Sequence, residues 1–213
     1  MTSKIEAIIF DFDGVFVNSL SCIHQAYNYL FDKTGRPIIE SLEEFKNFMT
    51  VDFDEAYRKL GIKTEEEKIE TQKYVQKYLD ANYLNTPVFQ NMVDFTKTLP
   101  YVMGIASSGK EYLISMKLRK MDLLHKMSSI IGRTRVLNLK PHPEPIIKCA
   151  KDLQVSLNKV IFIGDTYVDI RAGKAAGVAK TIAVDWGFED IHKLLPENPE
   201  GIISQPIELL NYL

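Results

Sequence analysis

The sequence predicts an α/β fold, a doubly wound parallel sheet with a helical bundle inserted after its first strand. Short β-rich runs alternate with helical patterns along most of the chain. One long stretch near the N-terminus has repeated helix-start signals and no convincing strand. Strands that alternate with helices form parallel sheets covered by helices on both faces. The sequence therefore predicts a two-part α/β protein.

Six runs are predicted to be strands, and helical patterns separate most of them, as in a Rossmann-like sheet. The runs are Ala7–Phe10, Val102–Ala106, Ser129–Ile131, Val160–Ile163, Thr181–Val184 and Gly201–Ser204.

The insertion is expected at residues 16–86, as a bundle of about four helices. Ser41-x-x-Glu44 and Thr64-x-x-Glu67 have the form of capping boxes, and Asp52 is a candidate cap for a helix that ends before Gly61. Apolar side chains also recur at helical spacing. They are Leu20, Ile23, Tyr27, Leu30 and Phe31 in one stripe, and Ile69, Val75, Tyr78 and Leu79 in another.

These patterns predict a discontinuous core domain at 1–15 and 87–213 and a helical cap domain at 16–86, with Thr86-Pro87 as the hinge. The alternative is a single domain with a long first crossover. We disfavour it because about 70 residues far exceed an ordinary strand-to-helix connection.

The composition is that of an ordinary globular protein, with 213 residues, 46% hydrophobic and 25% charged. A net charge of −2 gives no general attraction to nucleic acid or to an acidic membrane surface. No apolar stretch is long enough to span a membrane, and the N-terminal apolar run does not resemble a signal peptide. Cys22 and Cys149 form no local motif and are expected to be buried thiols of a cytoplasmic protein. The oligomeric state is not predicted.

The most informative motif is Asp11-Phe12-Asp13-Gly14, which follows the first apolar strand. Side chains two apart in a strand point the same way, so both carboxylates are expected in one small volume. Two like charges about 4 Å apart repel by roughly 4 kcal/mol at an effective dielectric of 20. A calcium loop is excluded because Val15 and Phe16 occupy positions that require a ligand and a glycine. A plain turn at Gly14 is the remaining structural alternative.

Two further segments are candidates for binding an anion. Ser107-Ser108-Gly109 follows the predicted strand Val102–Ala106, where hydroxyl and backbone N–H groups are suited to phosphate. Such a loop also caps helices in proteins without any ligand. Lys140 lies among prolines that stiffen the chain before a helix. His142 is interpreted as structural or exposed to solvent, and Glu144 as a residue of the first helical turn.

A second pair of carboxylates follows the apolar strand Val160–Ile163, in Gly164-Asp165 and Asp169. If a helix begins near Thr166, Asp169 lies in its first turn and faces Asp165. Acidic residues also cap helix N-termini, which accounts for one Asp better than for two. Asp185 follows a strand too, but it lacks a partner and is left out of the predicted site.

The four carboxylates of Asp11, Asp13, Asp165 and Asp169 are all expected at the carboxyl ends of strands, where open α/β sheets bind ligands. Such a convergence requires a divalent cation, and all-oxygen ligands favour Mg²⁺. With Ser107 and Lys140 as anion-holding groups, the expected ligand is a phosphate.

In order and context, Asp11-x-Asp13-Gly14, Ser107, Lys140 and Gly164-Asp165-x-x-x-Asp169 resemble the four motifs of the haloacid dehalogenase superfamily. The helical insertion is similar to the cap of its phosphoglycolate phosphatase and β-phosphoglucomutase group. The resemblance implies that Asp11 is a nucleophile and Asp13 an acid and base. It implies Mg²⁺ bound by Asp11, the Asp13 carbonyl and Asp165, with support from Asp169. It also implies phosphate binding by Ser107, Ser108 and Lys140.

The expected activity is Mg²⁺-dependent hydrolysis of a small phosphorylated metabolite. A phosphomutase is the nearest alternative, and a catalytically silent binding protein on the same fold is a third. A dehalogenase is disfavoured because those relatives usually lack the Asp at position 13. The residues near Met49-Thr50-Val51-Asp52 are candidates for substrate contact by resemblance. Arg58 either contacts an acidic substrate or lies on a solvated helix face.

Overall fold

The computed structural model describes residues 4–48 and 53–213. The candidate cap Asp52 and the segment from Met49 to Asp52 lie outside the described residues. Among the helices that are described, none is long and apolar enough to cross a membrane.

The described chain contains one sheet of six parallel strands in the order β3-β2-β1-β4-β5-β6. The predicted α/β sheet is confirmed, and each predicted strand is found within two residues of its expected ends. The strands are β1 (Ala7–Phe10), β2 (Val102–Ala106), β3 (Met127–Ile131), β4 (Val160–Gly164), β5 (Lys180–Val184) and β6 (Gly201–Ile203).

The middle of the sheet is made by β1 and β4, whose residues are all buried. Continuous apolar runs of this kind are typical of parallel strands covered on both faces. Ile9 of β1 pairs in register with Gly104 of β2 and with Phe162 of β4. The carboxyl ends of β1, β2 and β4 therefore meet at one edge of the sheet.

Helices connect the strands and flank the sheet. They are α5 (Gln90–Thr98), α6 (Glu111–Lys120), α7 (Glu144–Leu153), α8 (Tyr167–Ala176) and α9 (Ile191–Leu194). Buried side chains of α7, such as Ile146 and Cys149, pack with Ile9 and Phe162 in one core cluster. Glu144 is the first residue of α7, as predicted. The packing therefore holds α7 against one face of the sheet.

Contacts divide the chain into two compact units, Met1–Asn18 with Val88–Leu213 and Ser19–Pro87. The first contains the sheet. The role of the second as a cap domain stays a prediction.

The unit Ser19–Pro87 contains α1 (Leu20–Lys33), α2 (Leu42–Phe48), α3 (Phe53–Lys59) and α4 (Glu65–Asn82). Its core is a cluster of buried apolar and aromatic side chains that comes from α1, α2 and α3 and from Leu60 and Ile62, which follow α3. Members of the predicted first stripe, such as Tyr27, Leu30 and Phe31, belong to it. The predicted second stripe is partly wrong, because Ile69 is 65% exposed.

Of the two predicted capping boxes in this unit, one is complete and one is half-formed. Thr64 and Glu67 form a complete capping box at the start of α4. Ser41 Oγ accepts a hydrogen bond from Glu44 N at 3.3 Å, which is one half of the predicted pair. Arg58 lies on an exposed position of α3.

Candidate active site

Asp11 lies at the carboxyl end of the central strand β1. Its backbone N donates to Ile163 O at 2.7 Å, so the chain stays paired with β4 for one residue past the end of the strand. The residue is 8% exposed. Burial raises the pKa of Asp11 to about 7, although the neighbouring Lys140 ammonium acts in the opposite direction.

Three carboxylates converge at this edge of the sheet. The residues are Asp11, Asp165 and Asp169, and all three are buried. One carboxylate oxygen of each lies within 4.8 Å of one carboxylate oxygen of the other two. For Asp165, burial raises the pKa well above its ordinary value, and the nearby Asp169 and Asp11 charges add to that rise. These carboxylates form the acidic cluster of the site.

Lys140 is the cation within this cluster, and its side chain is buried. Its Nζ lies 2.9 Å from Asp11 Oδ1 and 2.6 Å from Asp169 Oδ1. Burial lowers the pKa of Lys140, but the Asp11 and Asp169 carboxylates together raise it by more than burial lowers it. The pKa of Lys140 therefore lies above its ordinary value. Three carboxyl groups around one ammonium leave an excess of acidic groups in a buried space.

Asp13 is not one of the three carboxylates that lie within 4.8 Å of one another, but its charge is among those that raise the pKa of Asp11, and the convergence of all four stays a prediction. Strand β1 ends at Phe10, and residues 13–17 form a tight turn in which Gly14 N donates to Val17 O at 2.8 Å. Asp13 therefore stands at the start of this turn, past the end of the strand. Asp13 Oδ2 lies beside Gly109, as Ser107 Oγ does, each 3.5 Å from where a Cβ of Gly109 would be.

Gly14 is required by the close approach of Asp165. A Cβ at this position would lie 1.9 Å from Asp165 Oδ2, and the φ of +80° is in the left-handed region. The glycine thus lets the turn after Asp11 pass directly against the second acidic strand end.

Asp169 has the two roles that the sequence left as alternatives. Thr166 is the N-cap of α8 and forms a capping box with Asp169, whose Oδ2 accepts from Thr166 N at 3.1 Å. The other oxygen, Oδ1, accepts from Lys140 Nζ. Because both oxygens are already engaged, Asp169 is better suited to orient Lys140 and the strand end than to bind a metal directly.

A divalent cation fits the remaining groups. Asp165 is fully buried, and its Oδ1 has no hydrogen-bond partner among the described residues. Asp11 Oδ1 has the ion pair with Lys140, but that contact lacks the alignment of a hydrogen bond. An unsatisfied buried acceptor costs about 1–3 kcal/mol, and more when it is charged. Asp11 and Asp165 could hold Mg²⁺, whose oxygen ligands lie at about 2.1 Å.

The predicted phosphate-binding loop follows β2 at the same edge. Ser107 is buried, its backbone N donates to Ile131 O at 2.9 Å, and its Oγ accepts from Gly109 N at 3.1 Å. Ser108 is half-buried in the same loop. The structure thus brings the loop to the edge that holds Asp11.

Comparison with known proteins agrees with this geometry. The model of the haloacid dehalogenase-like hydrolase family matches residues 8–184. The chain belongs to this family. The predicted membership and the predicted class of enzyme, a hydrolase, are confirmed.

Relatives of this hydrolase cover nearly the whole chain. The pyrophosphatase PpaX of Anoxybacillus flavithermus is 26% identical, over 99% of this chain and 97% of the relative. The phosphoglycolate phosphatase of Aquifex aeolicus is 26% identical, over 98% and 97%. A haloacid dehalogenase-like family hydrolase from Streptococcus pneumoniae has a structure that matches with a TM-score of 0.84 at 24% identity, over 98% of each chain. That structural likeness supports the fold.

The segment Trp186–Glu189, which follows β5, was not predicted to belong to the site. Phe188 N donates to Asp165 Oδ2 at 2.7 Å, and Glu189 Oε2 accepts from Tyr167 N at 2.6 Å. Burial raises the pKa of Glu189. Asp185, which was left out of the predicted site, contacts Ser204. The sequence does contain a glycine and a carboxylate after this strand, as it does at the end of β4. They are Gly187 and Glu189, and they lie a few positions past the end of β5.

Glu144 holds the segment that leads to Lys140. Its carboxylate accepts from Leu137 N at 3.0 Å and from Asn138 N at 2.9 Å. His142 is exposed, as expected, and its Nδ1 contacts Glu144 N. The hydrogen bond from Leu137 N is the largest cause that lowers the pKa of Glu144, and the hydrogen bonds from Asn138 lower it as well, to about 2.

We predict that Lys140→Met strongly destabilises the metal-free protein at neutral pH. Removing the cation leaves the buried Asp11 and Asp169 carboxylates uncompensated, which costs about 3–5 kcal/mol in comparable buried pairs. Urea unfolding in EDTA measures this loss. Lys159→Met is the matched control, since Lys159 pairs with Glu6 at the surface at 2.7 Å and such pairs contribute about 0–1 kcal/mol. Equal losses in the two variants would contradict the predicted role of Lys140.

We predict that Glu144 titrates far below its ordinary pKa of 4.5, with a midpoint near 2. A lowered pKa in the folded state means that the carboxylate stabilises the protein above pH 4.5, and that this contribution is lost as the pH falls towards 2. The stability difference between wild type and Glu144→Gln should therefore shrink over this interval. An NMR titration of the side-chain carboxyl carbon checks the midpoint directly, and a value near 4.5 would disprove the prediction.

Proposed function

We propose that this hydrolase is a Mg²⁺-dependent phosphatase that acts on a small phosphorylated compound in the cytoplasm. The observation that carries the proposal is the buried Asp11 beside Lys140, together with Asp165 Oδ1, which has no hydrogen-bond partner among the residues described, at the same strand edge. An excess of buried acidic groups, arranged next to a hydroxyl and amide loop, suits a cation and a phosphoryl group that bind together.

Asp11 is the proposed nucleophile. Its carboxylate attacks the phosphorus atom, and the bond between phosphorus and the leaving oxygen breaks, which leaves an aspartyl-phosphate on Asp11. Lys140 offsets the charge on the reacting carboxylate and phosphoryl oxygens. Burial at the end of β1 keeps the Asp11 side chain in a fixed position.

Asp13 is the proposed acid and base. It donates a proton to the leaving oxygen in the first step and accepts one from the attacking water in the second, which releases inorganic phosphate and restores Asp11. Its place outside the group of three clustered carboxylates supports this role, because a carboxylate oxygen bound to a cation is a poorer proton donor. Its position beside Gly109 keeps it near the phosphate-binding loop.

Mg²⁺, when bound, would neutralise charge on the phosphoryl group. Its proposed ligands are Asp11, the backbone carbonyl of Asp13 and Asp165. Asp169 is proposed to support the site through its contacts with Lys140 and Thr166, without binding the ion directly. Ser107 and Ser108, with the backbone of their loop, and Lys140 are proposed to hold the phosphoryl oxygens.

The helical unit Ser19–Pro87 is proposed to be the cap that selects the substrate. Its separate core of aromatic and aliphatic side chains supports an independent unit that is inserted between β1 and α5. Closure of such a unit would exclude bulk water from the reaction.

We predict that the protein hydrolyses p-nitrophenyl phosphate with Mg²⁺ and loses this activity in EDTA. Asp11→Asn should abolish turnover because it removes the nucleophile, and Asp13→Asn should lower kcat by about 10²–10⁴-fold. A steady-state assay at saturating Mg²⁺ measures both.

The matched control is Asp185→Asn, which changes a carboxylate that also follows a strand but lies outside the acidic cluster. It should keep activity close to that of wild type. Hydrolysis by Asp11→Asn, or activity that persists in EDTA, would rule out the proposed mechanism.

The substrate is proposed from the names of the relatives, which are a pyrophosphatase and a phosphoglycolate phosphatase. We predict turnover of pyrophosphate or 2-phosphoglycolate above that of sugar monophosphates, with no need for a sugar bisphosphate. Phosphate release from each compound, measured in parallel, checks this. A requirement for a sugar bisphosphate would instead support a phosphomutase.

A further inference from the structure

The segment Trp186–Glu189 passes over the acidic cluster. It follows β5, the strand next to β4, at the same edge of the sheet. Trp186 Nε1 donates to Val15 O at 3.3 Å, which joins the segment to the turn after Asp11. The segment therefore contacts the chain on the β1 side of the cluster as well as on the β4 side.

The carboxylate of Asp165 is held by this segment. Phe188 N donates to its Oδ2 at 2.7 Å, which leaves Oδ1 for another partner. A Cβ on Gly187 would lie 2.2 Å from Asp165 Cβ, so the backbone of the segment lies directly against the side chain. The position of residues 187 and 188 thus sets the direction in which Asp165 Oδ1 points.

Glu189 anchors the segment. Its side chain is 8% exposed, and Oε2 accepts from the backbone N of Tyr167, the first residue of α8, at 2.6 Å. Lys193 Nζ lies 3.9 Å from the other oxygen, Oε1. Because α8 also carries Asp169, one carboxylate ties the segment that orients Asp165 to the helix that carries Asp169.

We propose that Glu189 is a positioning residue for the Mg²⁺ site, acting through Phe188 and Tyr167 on Asp165 and Asp169. This inference rests on the proposed function. A simple helix cap would satisfy the Tyr167 N–H group and stabilise α8, with no effect on the metal. Groups that orient metal ligands change metal affinity when they are removed, typically by 10–100-fold.

The experiment titrates Mg²⁺ alone into the metal-free full chain by isothermal titration calorimetry and records thermal unfolding of each variant. Glu189→Ala should raise the Kd for Mg²⁺ by about tenfold or more. Glu189→Gln should bind Mg²⁺ nearly as wild type does, because its amide oxygen still accepts from Tyr167 N. Rescue by glutamine separates positioning from a direct charge effect.

Glu200→Ala is the matched control. Glu200 Oε2 accepts from Thr181 N at 2.6 Å, the same type of contact at the opposite end of β5. Its removal should lower the Tm without changing the Kd for Mg²⁺. If Glu189→Ala does not fold, Glu189→Asp takes its place, since the shorter side chain withdraws the acceptor and should also weaken Mg²⁺ binding.

A wild-type Kd in Glu189→Ala, or in Glu189→Asp where the alanine variant does not fold, would overturn the inference and leave the proposed function standing. Equal weakening by Glu200→Ala would overturn it too, because it would make the effect one of general stability. Absence of Mg²⁺ binding by the wild-type protein would instead contradict the proposed function itself.

Discussion

Burial of three carboxylates around a single ammonium is the constraint on which the rest of this site depends. Asp11, Asp165 and Asp169 come from two strand ends and one helix start, and Lys140 reaches into the cluster from a fourth segment. Buried charges of one sign require compensation by ion pairs, hydrogen bonds or a cation. Lys140 and backbone donors supply part of that compensation, and Asp165 Oδ1 has no hydrogen-bond partner in the part of the chain that the structure describes. This arrangement supports the proposed binding of a cation.

The topology of the sheet accounts for how such distant residues meet. The strand order passes from β1 to β2 on one side and from β1 to β4 on the other, so connections leave in opposite directions at this point. Open α/β sheets bind ligands at such a switch, because the loops diverge and leave a crevice at the carboxyl ends. The start of α8 adds a helix N-terminus whose dipole favours negative charge.

The two carboxylates of Asp11-x-Asp13 have different surroundings although they are close in sequence. Asp11 ends a buried strand and pairs with Lys140, while Asp13 begins a turn and lies beside Gly109. Different environments let one carboxylate act as a nucleophile and another exchange protons, and this division underlies the proposed chemistry. The turn at Gly14 produces the difference, and Gly14 is required there because Asp165 lies against it.

The sequence by itself determined the strands, the parallel sheet and the inserted helices, because buried apolar runs and helix caps are local patterns. It also determined that Asp11, Asp165, Asp169 and Lys140 belong to one site, since strand ends of a parallel sheet share an edge. Only the tertiary structure decided that Asp13 stands outside the group of three clustered carboxylates, and that Phe188 and Glu189 bond to Asp165 and to the start of α8. Those outcomes depend on how the turn after β1 and the segment after β5 pack against Asp165, and such contacts between distant parts of the chain leave no periodic signal.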